Sequence, residues 1–206
     1  MITLIIIAIT GLISVTGFNN RDLFNKYLFD PYLVVHRKQS YRIITHAFLH
    51  GGWSHLLVNM FVLWQFGGAV EGTFQNLFGA TNGMVFYLLL YVGGIIFSSL
   101  PTLKKESNNP YYRSIGASGA VSAVLFSYIL MFPTSMLGFM IVIPIPAIIF
   151  GVLYIWYEKR MADQGMNDGV GHDAHYFGAL YGILITIIFK PSLVLNFIQQ
   201  IVAVFN

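Results

Sequence analysis

The sequence predicts an all-α polytopic membrane protein, a bundle of six transmembrane helices, and three observations predict it. Of 206 residues, 56% are hydrophobic and 9% charged, where soluble domains are about 25% charged. The mean hydropathy is +0.70. The charges bunch into short connections between stretches free of Asp, Glu, Lys and Arg, several of them near the roughly 20 apolar residues that cross a bilayer. There is no cysteine, which excludes disulfides, thiolate metal sites and a cysteine nucleophile. The net charge of +3 comes from basic residues scattered over connections. That suits a surface near lipid headgroups and argues against nucleic acid as a partner.

The whole of 1–206 reads as one membrane domain, with spans at about 2–18, 52–70, 82–100, 115–132, 136–157 and 173–189. Residues 1–20 carry no charge before Arg21. No basic region precedes that run and no A-x-A site follows it, so it reads as a span and not as a cleaved signal peptide. A polar connection, about 19–44, precedes the second span, whose helix starts near Trp53 after Gly51-Gly52. The third span ends at Lys104, Lys105, Glu106 and the Asn108-Asn109-Pro110 turn. Residues 114–157 are charge-free and too long for one span; Phe132-Pro133-Thr134-Ser135 divides them in two. Glu158 to Asp173 reads as a polar loop, and Lys190-Pro191 ends the sixth span. The tail 192–206 is uncharged and too short to span, which places it along the interface.

The chemistry sits in a few polar residues among small ones. Ser118 lies in Gly116-Ala117-Ser118-Gly119-Ala120, so another helix can come within touch of its oxygen. His175 is followed by Gly178 and Gly182, a second small-residue face carrying a base. A nucleophile and a base on two helices that pack backbone to backbone are the minimum for serine hydrolysis. His55 and Asn59 lie one turn apart on a common face and offer two hydrogen-bond donors. Taken singly, each has a plainer use: packing for Ser118, interhelical hydrogen bonding for His55 and Asn59. The joint occurrence favours catalysis. Asp173 stands two residues before His175, about 200° away on a helix. With no other acid assigned to the spans, a Ser-His dyad is expected. His46-x3-His50 and His172-x2-His175 have ligand-like spacing but lack the Glu of H-E-x-x-H, so neither a metal nor another cofactor is expected.

Three motifs in order give the chain a resemblance to the rhomboid intramembrane serine proteases of the minimal six-helix form, from about Tyr41 to Gly182. G-x-S-G matches Gly116, Ser118 and Gly119. A-H-x-x-G-x-x-x-G matches Ala174, His175, Gly178 and Gly182. H-x3-H-x4-H-x3-N matches His46, His50, His55 and Asn59, followed by G-x3-E at Gly67 and Glu71. The resemblance implies a rhomboid-like bundle in which Ser118 attacks a peptide bond of a transmembrane substrate and His175 serves as base and then acid. His55, Asn59 and the Ser118 N–H would form the oxyanion hole, and Arg42 and His50 would order the first connection. Two positions depart from the family pattern. Tyr41-Arg42 stands for Trp-Arg, and Ser122 stands where many relatives carry an aromatic ring that packs on the catalytic histidine.

Hydrolysis needs water, so the site is expected in a hydrophilic cavity with Ser118 near its helix start, where unpaired N–H groups help hold an oxyanion. Pro144-Ile145-Pro146 is expected within the fifth span, either as a static kink or as a loosened side gate, with Met161 and Met166 in a loop capping the site. The competing function is a non-catalytic rhomboid-like protein that binds membrane clients; retention of Ser118 and His175 argues against it. A histidine-lined transporter would need acids in mid-span. Ten of the eleven basic residues fall in the first, third and fifth connections. The positive-inside tendency would put that side in the cytoplasm. The resemblance implies the reverse for bacterial members, and is followed: a bacterial cell membrane, with the site facing outside.

Overall fold

The computed structural model describes residues 1–137, 144–165 and 168–204. Among the described residues the chain is all-α apart from one two-residue strand pair and an isolated bridge between Phe29 and Ser114. Helix α1 spans Ile2–Phe18, and the first connection folds into α2 (Arg21–Tyr27), α3 (Pro31–His36), α4 (Arg42–Thr45) and a 3₁₀ turn at His46–Phe48. The remaining long helices are α5 (Trp53–Phe78), α6 (Ala80–Glu106), α7 (Ser118–Met131), α8 (Ala147–Gln164) and α9 (His172–Phe189), with a shorter α10 (Ser192–Val202).

Six long helices are present among the described residues, but by length and apolarity only α6 crosses a bilayer by itself. Helices α9 and α10 pass that test only together, across a bend of 111°, and α1 and α7 are apolar but shorter. The membrane setting shows in the inverted surface. Leu12 of α1, Val152 of α8 and Ile188 of α9 are each 60% exposed or more. Thr3, Thr10, Ser14, Ser127 and Thr186 are buried. Large apolar side chains outside and small polar ones between helices are the pattern of a bundle in lipid.

Helix α7 is central. Nearly all its residues from Gly119 to Met131 are buried, and it packs on α5, α6 and α9, with α8 and α10 beside it. It ends before Pro133, which cannot continue a helix. The turn from α5 to α6 is a single residue, Gly79, at φ +82, a backbone region costly for any residue with a Cβ. The G-x3-E pattern has its explanation at the far end of the bundle. A Cβ at Gly67 would stand 2.6 Å from the Tyr87 hydroxyl and 2.8 Å from Thr3 Cγ2. One turn on, buried Glu71 accepts from the Ile2 and Thr3 amides at 2.8 and 3.0 Å. It thereby caps α1, where a carboxylate meets otherwise unpaired N–H groups and the positive end of the helix dipole.

The fifth element departs from expectation. Residues 136–146 are not helical where described: Met136–Leu137 (β1) pairs antiparallel with Ile145–Pro146 (β2). The prolines therefore precede α8 and do not kink it. Proline lacks the N–H that a helix interior needs, whereas a helix start does not use it. The first amides of α8 are satisfied from outside, Ala147 N–H by Ser135 C=O and Ile148 N–H by Pro133 C=O, at 2.8 and 2.9 Å. Met161 lies inside α8, not in a loop, and Met166 lies outside the described residues.

Candidate active site

The first connection is a scaffold for the segment that carries Ser118. Buried Arg42 donates through Nη1 to the carbonyls of Asn25 and Leu28, at 3.0 and 2.8 Å, and through Nε to Gln39. This gathers the open C-terminal end of α2. Phe29 and Ser114 exchange backbone hydrogen bonds of 2.9 and 3.1 Å, and Arg113 reaches buried Asp30 at 3.0 Å. Gly116 N–H then donates to His46 C=O at 3.0 Å. Ala117 N–H donates to His50 Nε2 at 3.4 Å. That leaves the His50 proton on Nδ1, which faces Ser14 Oγ at 2.9 Å, while Ser14 Oγ donates to Phe48 C=O.

Burial pushes the His46 ring down to about 4 and the His50 ring down to about 3. Both are neutral in the folded protein above those values. An unfolded histidine titrates near 6.5, so between there and about 4 the unfolded chain binds more protons. Stability is then full above pH 6.5 and falls with pH below it, by about 1.4 kcal/mol per pH unit for each ring. The midpoint of thermal unfolding in bilayer discs should drop steadily from pH 6.5 to 5. A flat midpoint across that window would show that the two rings are hydrated.

Ser118 is the first residue of α7, where its amide has no acceptor within the helix. The turn before it depends on Gly116, at φ +119, where a Cβ would also stand 2.7 Å from His55 Cε1. The glycine thus brings the His55 ring against the backbone beside the serine. His55 Nδ1 accepts a long 3.4 Å hydrogen bond from Gly51 N–H, so the ring proton sits on Nε2. Asn59 Nδ2 donates to His55 C=O at 2.9 Å and keeps a second N–H.

His175 is held by α9, which meets α7 backbone to backbone. A Cβ at Gly178 would stand 2.9 Å from the Gly119 carbonyl carbon, and one at Gly182 would stand 2.7 Å from that of Ala123. On the other side of α7, a Cβ at Gly119 would stand 2.6 Å from Ser98 Cβ of α6. Among the described residues, His175 hydrogen-bonds Glu158, not Ser118: its Nδ1 lies 2.9 Å from Glu158 Oε1. The other carboxylate oxygen lies 2.6 Å from His172 Nδ1, and His172 Nε2 lies 3.2 Å from Asp168.

Glu158 corrects the assignment of that residue to a loop and the expectation that His175 has no acid. It is 5% exposed and lies within α8, whereas Asp173 forms its ion pair with Lys105, away from the base. A signal for it was in the sequence. Ala147, Gly151, Tyr154 and Glu158 form an i, i+4, i+7, i+11 stripe, the inward face of α8. The adjoining Lys159 and Arg160 made Glu158 read as a span end. The same stripe answers the substitution at 122. Tyr154 lies nearly parallel to the His175 ring, centroids 6.3 Å apart at 28°, and its hydroxyl is 2.8 Å from Ser122 Oγ. The aromatic support thus comes from α8.

One cavity of about 1030 Å³ gathers Ser118, His175, His55 and Asn59, with Gly116 and Gly119 in its wall. Arg42, His50, Gly178 and Gly182 stand behind it as supports of the wall. Glu158, His172 and His175 each offer one ligand atom, all within 4.8 Å of one another, and are the group that could hold a divalent ion.

An all-α fold with an apolar exterior and a cavity walled by a serine at one helix start and a histidine in the first turn of another defines a membrane-embedded helical bundle. The chain belongs to the rhomboid family: the Rhomboid domain matches residues 37–192. It is 30% identical over 149 residues to the RHOMBOID-like protein 12, mitochondrial, of Arabidopsis thaliana, covering 66% of this chain and 43% of that one. It is 30% identical over 151 residues to the human Presenilin-associated rhomboid-like protein, mitochondrial, covering 68% and 36%. It is 31% identical over 147 residues to the Rhomboid protein 1, mitochondrial, of Saccharomyces cerevisiae, covering 69% and 40%. The chain thus spans about two fifths of the length of these curated relatives. They overturn the expectation of a bacterial cell membrane, since all three are mitochondrial and point to a mitochondrial membrane. That expectation rested on the family as a whole, whose core motifs serve chemistry and carry no address.

Proposed function

We propose that this protein is an intramembrane serine endopeptidase of a mitochondrial membrane, cleaving transmembrane segments of other proteins. The observation that carries the reading is the meeting of α7 and α9 at Gly119 and Gly178, which sets Ser118 and His175 on one cavity wall with His55 and Asn59. The substrate enters from the bilayer and unwinds, because a helical peptide bond is shielded by its own hydrogen bonds. Ser118 Oγ attacks the carbonyl carbon while its proton passes to His175 Nε2. The oxyanion is received by the Ser118 N–H, His55 Nε2–H and the unused Asn59 N–H. His175 then protonates the leaving amine, and water hydrolyses the acyl-enzyme by the same steps.

The test is a fluorophosphonate, which should label Ser118 in the native protein and fail to label His175→Ala, with chelators leaving both results unchanged. Inactivation by a chelator and recovery with zinc would instead support a metal centre at Glu158, His172 and His175. A serine that never labels, in a protein that retains membrane clients, would favour the non-catalytic reading. For the oxyanion groups, His55→Ala or Asn59→Ala should lower kcat roughly 10²-fold, the effect of losing one such donor, with KM within about threefold. A raised KM at unchanged kcat would assign the pair to substrate binding.

A further inference from the structure

We propose that Glu158 is the positioning acid of the site, so that Ser118, His175 and Glu158 work as a triad drawn from three helices, with His172 holding the carboxylate. The inference rests on the serine-hydrolase reading above. A carboxylate at 5% exposure is costly unless it is paired and its lone pairs are met. An ion pair with His172 alone would serve stability. Instead the two oxygens are divided, Oε2 to His172 Nδ1 at 2.6 Å and Oε1 to His175 Nδ1 at 2.9 Å.

The hydrogen-bond inventory then sets the protons. A carboxylate only accepts, so His175 carries its proton on Nδ1 and presents the Nε2 lone pair, the atom required to take a proton from serine. His172 faces Glu158 with one nitrogen and Asp168 with the other, at 3.2 Å. Both contacts are satisfied together only by an imidazolium. That cation neutralises Glu158 and lets it stay ionised in a dry place. Tyr154, one turn before Glu158, lies along the flat of the His175 ring. One face of α8 therefore fixes both the edge and the plane of the base.

In the first step the Ser118 O–H breaks and Oγ bonds the substrate carbon. The carbonyl electron pair moves to oxygen and the proton to His175 Nε2. Glu158 takes no proton; it steadies the cation formed beside it.

The experiment compares Glu158→Gln, Glu158→Asp and Ser118→Ala in bilayer discs, reading kcat, KM, labelling rate and thermal midpoint. Glu158→Gln keeps the shape but loses the charge and can turn an N–H toward Nδ1. It should lower kcat and labelling roughly 10²-fold or more at a temperature well below its midpoint, in the direction of the about 10⁴-fold loss for the Asp-to-Asn change of the serine-protease triad, with KM nearly unchanged and a lowered midpoint, because buried His172 loses its counter-charge. Glu158→Asp should recover part of the rate. Wild-type kcat in Glu158→Gln would overturn the proposal, as would losses in both variants that simply track the thermal midpoint. If Glu158→Gln does not fold, Glu158→Asp decides: lowered kcat at unchanged KM supports it, full kcat overturns it. Cleavage by Ser118→Ala would sink the serine reading itself, whereas an inactive Ser118→Ala beside a fully active Glu158→Gln would remove only the triad.

Discussion

Replacing either Ser118 or His175 by alanine should reduce cleavage of a transmembrane substrate to background, a loss on the order of 10⁴-fold or more, because nucleophile and base act as a unit. The two variants differ in what they cost the fold. Ser118 is the first residue of α7, after the N-cap Ala117, and its side chain is not among the hydrogen-bonded groups of the described residues, so Ser118→Ala should keep the native thermal midpoint. His175→Ala removes one of two partners from the buried Glu158 carboxylate. An unmet buried acceptor costs about 1–3 kcal/mol, so its midpoint should fall while the protein still folds. Cleavage surviving in Ser118→Ala, measured with a purified substrate, would end the serine mechanism.

Gly178→Val should cost both activity and stability. A Cβ at 178 would already stand 2.9 Å from the Gly119 carbonyl carbon and 3.0 Å from its Cα. Backbone cannot swing aside as a side chain does. Valine adds two further methyl groups at the same place, so α9 must retreat from α7. Overpacking of this kind costs about 1–3 kcal/mol. His175 lies one turn before Gly178 and Ser118 one residue before Gly119, so the retreat opens the distance between base and nucleophile. A displacement of about 1 Å can cost on the order of 10²-fold in rate. Gly178→Ala should move both measurements the same way by less. Normal turnover in Gly178→Val would show that this contact does not set the Ser118–His175 distance.

The residues that could be read in sequence are those whose setting is local. Close approach of two helices requires small side chains at fixed spacing, so Gly116 and Gly119 around Ser118, and Gly178 and Gly182 after His175, mark the meeting of α7 and α9 before any coordinates are known. Composition alone likewise marks a membrane protein. Glu158 was hidden because a charge next to Lys159 and Arg160 resembles the end of a span; its partner His175 is 17 residues away on the next helix. Pro144 and Pro146 were readable as helix-breaking but not as preceding the helix, since strand pairing of 136–137 with 145–146 is a non-local choice. The pattern Gly67-x3-Glu71 was visible without its use, which is to seat and cap α1 from 68 residues away.

By itself, then, the sequence determined the membrane class and the rhomboid motifs that contain Ser118 and His175, because hydropathy and small-residue spacing are properties of one helix at a time. The tertiary structure alone decided what holds His175: Tyr154 and Glu158 on α8, with His172 sharing the carboxylate. Those contacts depend on the rotation of α8 against α9, and rotation between helices is set by how whole surfaces pack, which no single segment encodes.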